Sequence, residues 1–186
     1  MPKKQEPTHL VWLDLETTGL DVESRVIVEI ATIVTDRELN VLEEGPDLVI
    51  HHPDETLANL DAWCRTQHGK SGLLDAVRAS TVSLEEAEQR TLEAIQRHCP
   101  PKACPLCGNS ICFDRRFIMR YMPRLNDHLN YRNVDVSSLK ELAYRWYPSV
   151  MKKQEKDAPH RAMDDIRASI EELRLYRRTI FRPADG

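Results

Sequence analysis

A chain of 186 residues is long enough for one well-buried domain and short for two. With 41% hydrophobic and 30% charged residues and a net charge of −4, it has the makeup of a soluble globular protein, not the strongly basic face of one that tracks long duplexes. No apolar run approaches the roughly 18 residues of a membrane span, and the polar start MPKKQEPT has neither a signal-peptide core nor a transit pattern, so a cytoplasmic location is expected.

The first patterned stretch is LVWLDLETTGL, Leu10 to Leu20. Val11, Trp12, Leu13 and Leu15 are strand formers around Asp14, and Thr17, Thr18 and Gly19 end the strand as a turn. Asp14 and Glu16 are two residues apart, so a strand sends both carboxylates to one face. Paired like charges fit a hard divalent cation with oxygen ligands. They also fit a solvated strand end. VIVEIATIVTD, Val26 to Asp36, predicts a second strand paired with the first, and Leu48 to His51 a third, after a turn at Glu44-Gly45-Pro46-Asp47.

Helical patterning follows over Asp54 to Leu60 and Ala62 to Arg78, the latter broken near Gly69 and Gly72. Ser83-Leu84-Glu85-Glu86 is a capping box opening a helix that stops before Pro100. Pro105 to Phe113 reads as a buried strand, then a helix from Asp114 to Met122 ended by Pro123. Tyr131 to Val136 is a last short strand, after which Ser137 and Ser138 cap a helix through Trp146. Ser149 to Pro159 is polar and aperiodic, an expected exposed, mobile loop. The amphipathic segment after His160 carries Ile166, Ile170, Leu173 and Ile180 on one stripe. These elements make a mixed α/β domain, with short tails expected at 1–7 and 182–186.

Four of the five cysteines crowd into CPPKACPLCGNSIC. Cys104 and Cys107 have zinc-knuckle spacing, but an intervening strand would send them to opposite faces. Free thiols for Cys64, Cys99, Cys104, Cys107 and Cys112 are the expectation, with a structural zinc as the alternative.

Taken singly, Asp114 is an ordinary first-turn acid, His160 a surface histidine and Asp165 part of a solvated pair. Together they form a set: Asp-x-Glu ending a first strand, an aspartate after a later strand, and His-x4-Asp at the final helix. With WLDLETTGL, GNSI, DRRF, DVSSLKELA and HRAMDDIR in that order, the chain resembles the DEDDh group of 3′-to-5′ exonucleases and, within it, the oligoribonucleases, over about Thr8 to Ile180.

The resemblance implies a ribonuclease-H-like mixed five-stranded sheet flanked by helices in one exonuclease domain. It implies Asp14, Glu16, Asp114 and Asp165 as ligands of two Mg2+ or Mn2+ ions, and His160 as general base. Leu20 and Trp63 resemble a pair that clamps two bases, although Trp63 also reads as a core tryptophan. Ser110, Arg132, Ser137 and Ser138 match residues that hold a 5′ phosphate, and His68 one that touches the phosphate backbone. Tyr131 is similar to a residue reaching into a neighbouring subunit, which implies a homodimer. Phe113 departs from the family pattern, which has a polar residue before the aspartate. The implied substrates are dinucleotides and other very short RNAs. A DNA-trimming exonuclease and a binding module with a dead site are the rival readings.

Overall fold

The structure, a computed structural model, describes residues 9–151 and 161–181. Its centre is strand β1 (Leu10–Thr17), which pairs antiparallel with β2 (Ile27–Thr35). β2 pairs antiparallel with β3 (Val41–Val49), completing the expected meander. On its other side β1 runs parallel to β4 (Leu106–Gly108), and β4 parallel to β5 (Asn133–Asp135), giving the order β3-β2-β1-β4-β5. The helices are α1 (Asp54–Ala58), α2 (Ala62–Lys70), α3 (Leu73–Ala79), α4 (Leu84–Gln96), α5 (Ile111–Tyr121), α6 (Pro123–His128), α7 (Val136–Trp146) and α8 (Ala162–Thr179). The expected mixed five-stranded sheet flanked by helices is what forms.

Alternation along β1 divides the core. Val11, Leu13 and Leu15 point to a cluster containing Ile95 of α4 and Phe117 of α5. Trp12 points to the other face, among Ala143 of α7 and Ile166, Ile170 and Tyr176 of α8. By the same parity Asp14 and Glu16 face α8. Cys104 lies in the first cluster and Cys107 in the second, on opposite faces as the alternation required. No helix among the described residues is long and apolar enough to cross a membrane.

Several boundaries differ from expectation. The turn before β3 is at Asp36 to Asn40, where Asp36 accepts from the amides of Glu38 and Asn40 and Leu39 takes φ 68°. The expected turn at Gly45-Pro46 lies inside edge strand β3, where the register shifts between Ala31 and Ile33. Proline is tolerated there because an edge strand needs fewer ladder donors, and a Cβ on Gly45 would come within 2.5 Å of Thr32 Cγ2. The strand read over Pro105 to Phe113 is only three residues long, and α5 begins at Ile111, putting Asp114 inside its first turn. α7 is capped by Asp135, not by Ser137 and Ser138. Lys152 to His160, most of the expected mobile loop together with the histidine, lies outside the described residues.

Pro123 ends one helix and starts another, α6, with proline at the N-terminal position where its missing N–H matters least. The start of α6 is satisfied from outside: buried Glu88 of α4 accepts from the backbone amides of Arg124 (2.7 Å) and Leu125 (3.1 Å). Glu88→Ala is expected to strand these donors and lower stability by about 1–3 kcal/mol. That is a fall of roughly 2–10 °C in midpoint by calorimetry; an unchanged midpoint refutes the capping role.

Candidate active site

The register between β1 and β4 covers only Val11 and Trp12, so the carboxyl end of β1 has no strand on that side. Gly108 ends β4 against it: a Cβ there would lie 3.0 Å from the carbonyl oxygen of Leu13 and 2.9 Å from Ile111 Cδ1. The chain turns at once through Ser110, at φ 52°, into α5. This brings Asp114 against β1, where its Oδ1 accepts from the backbone N–H of Leu15 at 3.0 Å. A carboxylate from a helix thus takes up the donor that a longer β4 would have satisfied.

Asp14, Glu16 and Asp165 each offer a ligand oxygen, all within 4.8 Å of one another. Burial and the neighbouring Asp114, Glu16, Asp165 and Glu29 push the Asp14 carboxyl well above its ordinary range. Burial, then Asp165, Glu29 and Asp114, push Glu16 up to about 8, while the Arg161 guanidinium lowers it. Burial raises Asp114 to about 7 against the hydrogen bonds from its own amide and that of Leu15. Such carboxylates oppose one another's ionisation, and a hard divalent cation is the counter-charge their oxygens fit. Asp14, Glu16 and Asp165 thus converge, with Asp114 held beside them on the same strand. His160 lies outside the described residues.

The loop after β1 is bound to the start of α2. Thr18 O accepts from Asp61 N at 3.2 Å, Thr17 Oγ1 donates to Gly19 O at 2.9 Å, and Asp61 caps α2 by accepting from Cys64 N at 2.8 Å. Gly19 has φ 154°, and a Cβ there would meet Asp61 Oδ2 at 2.8 Å, so the close docking needs glycine. Leu20 on this loop and Trp63 in the first turn of α2 are 74% and 59% exposed, so Trp63 is not a core tryptophan. His68 has no outward face. It is 1% exposed, its Nε2 bonds Thr17 O at 2.8 Å, and its Nδ1 lies 3.8 Å from Glu16 Oε2 without a hydrogen-bond partner. From this position its ring supports the strand end that carries Glu16.

At the ends of β4 and β5, Ser110 N donates to Asp135 Oδ1 (3.1 Å) and Ser137 Oγ (2.8 Å), bringing Ser110 and Ser137 together. Ser138 is exposed in the first turn of α7. Arg132 lies over the Tyr131 ring at 4.8 Å, and Tyr131 is 76% exposed. Behind them Arg115 donates to Asn130 O at 3.1 Å and Asn130 Oδ1 accepts from Arg132 N at 3.0 Å, so Arg115 braces this corner. Phe113 packs on Phe117 with ring centroids 5.0 Å apart, within the first core cluster.

Residues 11–173 match the RNase T family of exonucleases. An oligoribonuclease of Pseudomonas paraeruginosa is 56% identical over 173 residues, covering 93% of this chain and 96% of that one. The chain belongs to the oligoribonuclease family. A further oligoribonuclease, from Acinetobacter baylyi, is 52% identical over 95% of this chain and 96% of its own. Among solved structures, exonuclease I of Methylocaldum szegediense superposes with a TM-score of 0.70 at 20% identity over 92% of this chain, which spans only 41% of that one. A complex of Escherichia coli exonuclease I with single-stranded DNA gives 0.71 at 18% identity over 93% of this chain and 40% of its own. At these identities the likeness concerns the ribonuclease-H-like fold. Family membership makes the chain a metal-dependent exoribonuclease.

Glu29 and Arg161 had no place in the sequence reading. The signal was present: a glutamate in the middle of VIVEIATIV, where every β2 residue is buried.

Because Glu16 and Asp114 sit at about 8 and about 7 in the fold, the native state keeps protons that the unfolded chain has released. Their contribution to stability is full below the ordinary carboxylate pKa and is lost as pH rises through about 7 to 8. Chelated protein is therefore expected to lose stability between pH 5 and pH 8. Adding Mn2+ at a fixed concentration ~100 times its Kd at pH 8 contributes ~2.7 kcal/mol there, roughly 5–10 °C in midpoint. The increment should be larger at pH 8 than at pH 5. A midpoint indifferent to Mn2+ at pH 8 counts against the cluster as a cation site.

Proposed function

We propose that this protein is a 3′-to-5′ exoribonuclease acting on dinucleotides and other very short RNAs, releasing 5′-mononucleotides by two-metal-ion catalysis with His160 as general base. The observation that carries the reading is the convergence of Asp14, Glu16 and Asp165 within 4.8 Å beside an Asp114 tied to the same strand.

Asp14, Glu16, Asp114 and Asp165 would hold two Mg2+ or Mn2+ ions, which when bound polarise the scissile phosphate and make a water nucleophilic near neutral pH. Carboxylates at fixed points of β1, α5 and α8 keep that donor set in place without reorganisation. His160 is one residue before Arg161 in the sequence, and Arg161 opens the helix that carries Asp165. An imidazole with an ordinary pKa of about 6.5 suits a base that takes a proton from water near neutral pH.

Substrate length is read at two rims. Exposed Leu20 and Trp63 beside the β1 loop offer an apolar clamp for two bases. Ser110, Ser137, Ser138 and Arg132 at the other rim offer hydroxyls and a guanidinium to a 5′ phosphate, which arginine can pair bidentately. A terminal phosphate held there leaves no path for a longer strand. Tyr131, exposed and stacked with Arg132, is the residue that would complete the site of a second copy in a homodimer. The same reading places the enzyme in the cytoplasm with other RNA-degrading activities.

The test is hydrolysis of 5′-phosphorylated RNA of two, five and twenty nucleotides with Mg2+ or with chelator. The dinucleotide is expected to go fastest and chelator to abolish cleavage. His160→Ala should lower kcat roughly 10²–10⁴-fold. Trp63→Ala should lower kcat/KM for the dinucleotide by about 5- to 150-fold, the loss of roughly 1–3 kcal/mol of stacking. Equal rates on all three lengths would remove the two-rim cap and leave the metal site standing.

A further inference from the structure

Glu29 is 0% exposed as the third residue of β2, directly across the register from Glu16. A charged group that deep is expected only where it is paired. Its Oε1 accepts from Arg161 Nε at 2.7 Å and Nη2 at 2.5 Å, and its Oε2 accepts from the backbone N–H of Ala162 at 3.1 Å. Arg161 is the N-cap residue of α8 but supplies no side-chain cap of its own. The cap comes instead from another strand, with a carboxylate at the end of the helix dipole that favours one. One turn on, Arg161 O accepts from Asp165 N at 3.0 Å.

We propose that the buried Glu29–Arg161 pair is a positioning device for the acidic centre, fixing the first turn of α8 on β2 and so setting Asp165 against the carboxylates of β1. A serine or aspartate at the N-cap would end the helix equally well, but from within its own chain segment. It would leave the placement of the first turn along the sheet to side-chain packing alone. Glu29 sets that placement because it is fixed by the β1–β2 ladder that also fixes Asp14 and Glu16. Toward Glu16 the two partners act in opposite senses: Glu29 raises it and Arg161 lowers it. Asp47 and Asp164 lie near the same guanidinium, so Arg161 is a cation held among acids.

This inference rests on Asp14, Glu16 and Asp165 being the metal ligands, and the experiment separates the two. Mn2+ affinity is measured by calorimetry on the full chain without substrate, with kcat, KM for a 5′-phosphorylated dinucleotide and the thermal midpoint alongside. Glu29→Gln, and the charge-neutral double variant Glu29→Gln/Arg161→Gln, are expected to weaken Mn2+ binding roughly 10- to 100-fold and lower kcat with little change in KM. Arg161→Gln alone separates position from charge. Removing a cation beside acids should tighten Mn2+ binding by Coulomb attraction, whereas loss of positioning weakens it. Weaker binding, partly recovered in Arg161→Lys, supports the proposal and needs no folded Glu29 variant. Binding equal to the parent or tighter in Arg161→Gln overturns it, as does parental Mn2+ affinity in the double variant at any midpoint. Asp165→Asn is the control: if it keeps parental affinity, the ligand set itself is wrong.

Discussion

Repulsion among the carboxylates at the end of β1 is the constraint on which the surrounding structure depends. Two unit charges about 4 Å apart interact by roughly 4 kcal/mol at the effective dielectric of a protein surface, and Asp14, Glu16 and Asp165 have ligand oxygens within 4.8 Å, with Asp114 acting on the first two. Left to themselves such groups would splay apart or take up protons. They stay together because each is borne by an element whose own packing is strong. β1 has its apolar residues buried on both faces, α5 is anchored by Ile111, Phe117 and Ile118, and α8 by Ile166, Ile170 and Tyr176. The core therefore supplies the force that holds like charges at a distance only a cation makes favourable.

The place where they meet follows from topology. In the order β3-β2-β1-β4-β5 the chain runs outward from β1 to β3 and then returns to β4 on the other side of β1, so strand order reverses at the central strand. Open sheets bind ligands beyond the carboxyl ends of parallel strands at such a switch. Here β4 and β5 are three residues each and stop early, which bares the end of β1. Leu15 N goes to Asp114, and Ser110 N goes to Asp135 and Ser137. Those side chains close what the short strands leave open, and in doing so they line the site with polar groups already locked in place.

Much of this was legible in the sequence, for reasons that differ by element. β1 and β2 declare themselves because burial on both faces demands long runs of apolar strand formers, and the capping box marks the start of α4 through its own local chemistry, Ser83 accepting from Glu86 N at 3.1 Å. α6 was not legible because its N-terminus is satisfied by Glu88, 36 residues earlier in the chain. Gly45-Pro46 reads locally as a turn, and only the edge position of β3 and the space beside Thr32 make it strand. The acidic cluster was legible as a spaced set, since the family motifs carry its residues. The burial of His68 was not legible for a related reason: its neighbours Thr17 and Glu16 lie 51 and 52 positions away, so nothing beside it in the chain announces it.

The charge of the whole molecule agrees with a site of this kind. A protein that holds long single strands neutralises many phosphates, and each contact adds about 0.7 to the slope of log affinity against log salt. This chain has a net charge of −4, and several of its arginines are engaged with its own acids: Arg161 with Glu29, Arg167 with Glu44, Arg124 with Glu88 and Arg97 with Glu43. Such arginines are poor ligands for a passing backbone. Affinity on the proposed reading must then come from local contacts: two stacked bases, one terminal phosphate and the cations at the acidic centre. On that reading a longer strand gains nothing from its additional phosphates that could offset being barred at the rim that holds the terminal phosphate.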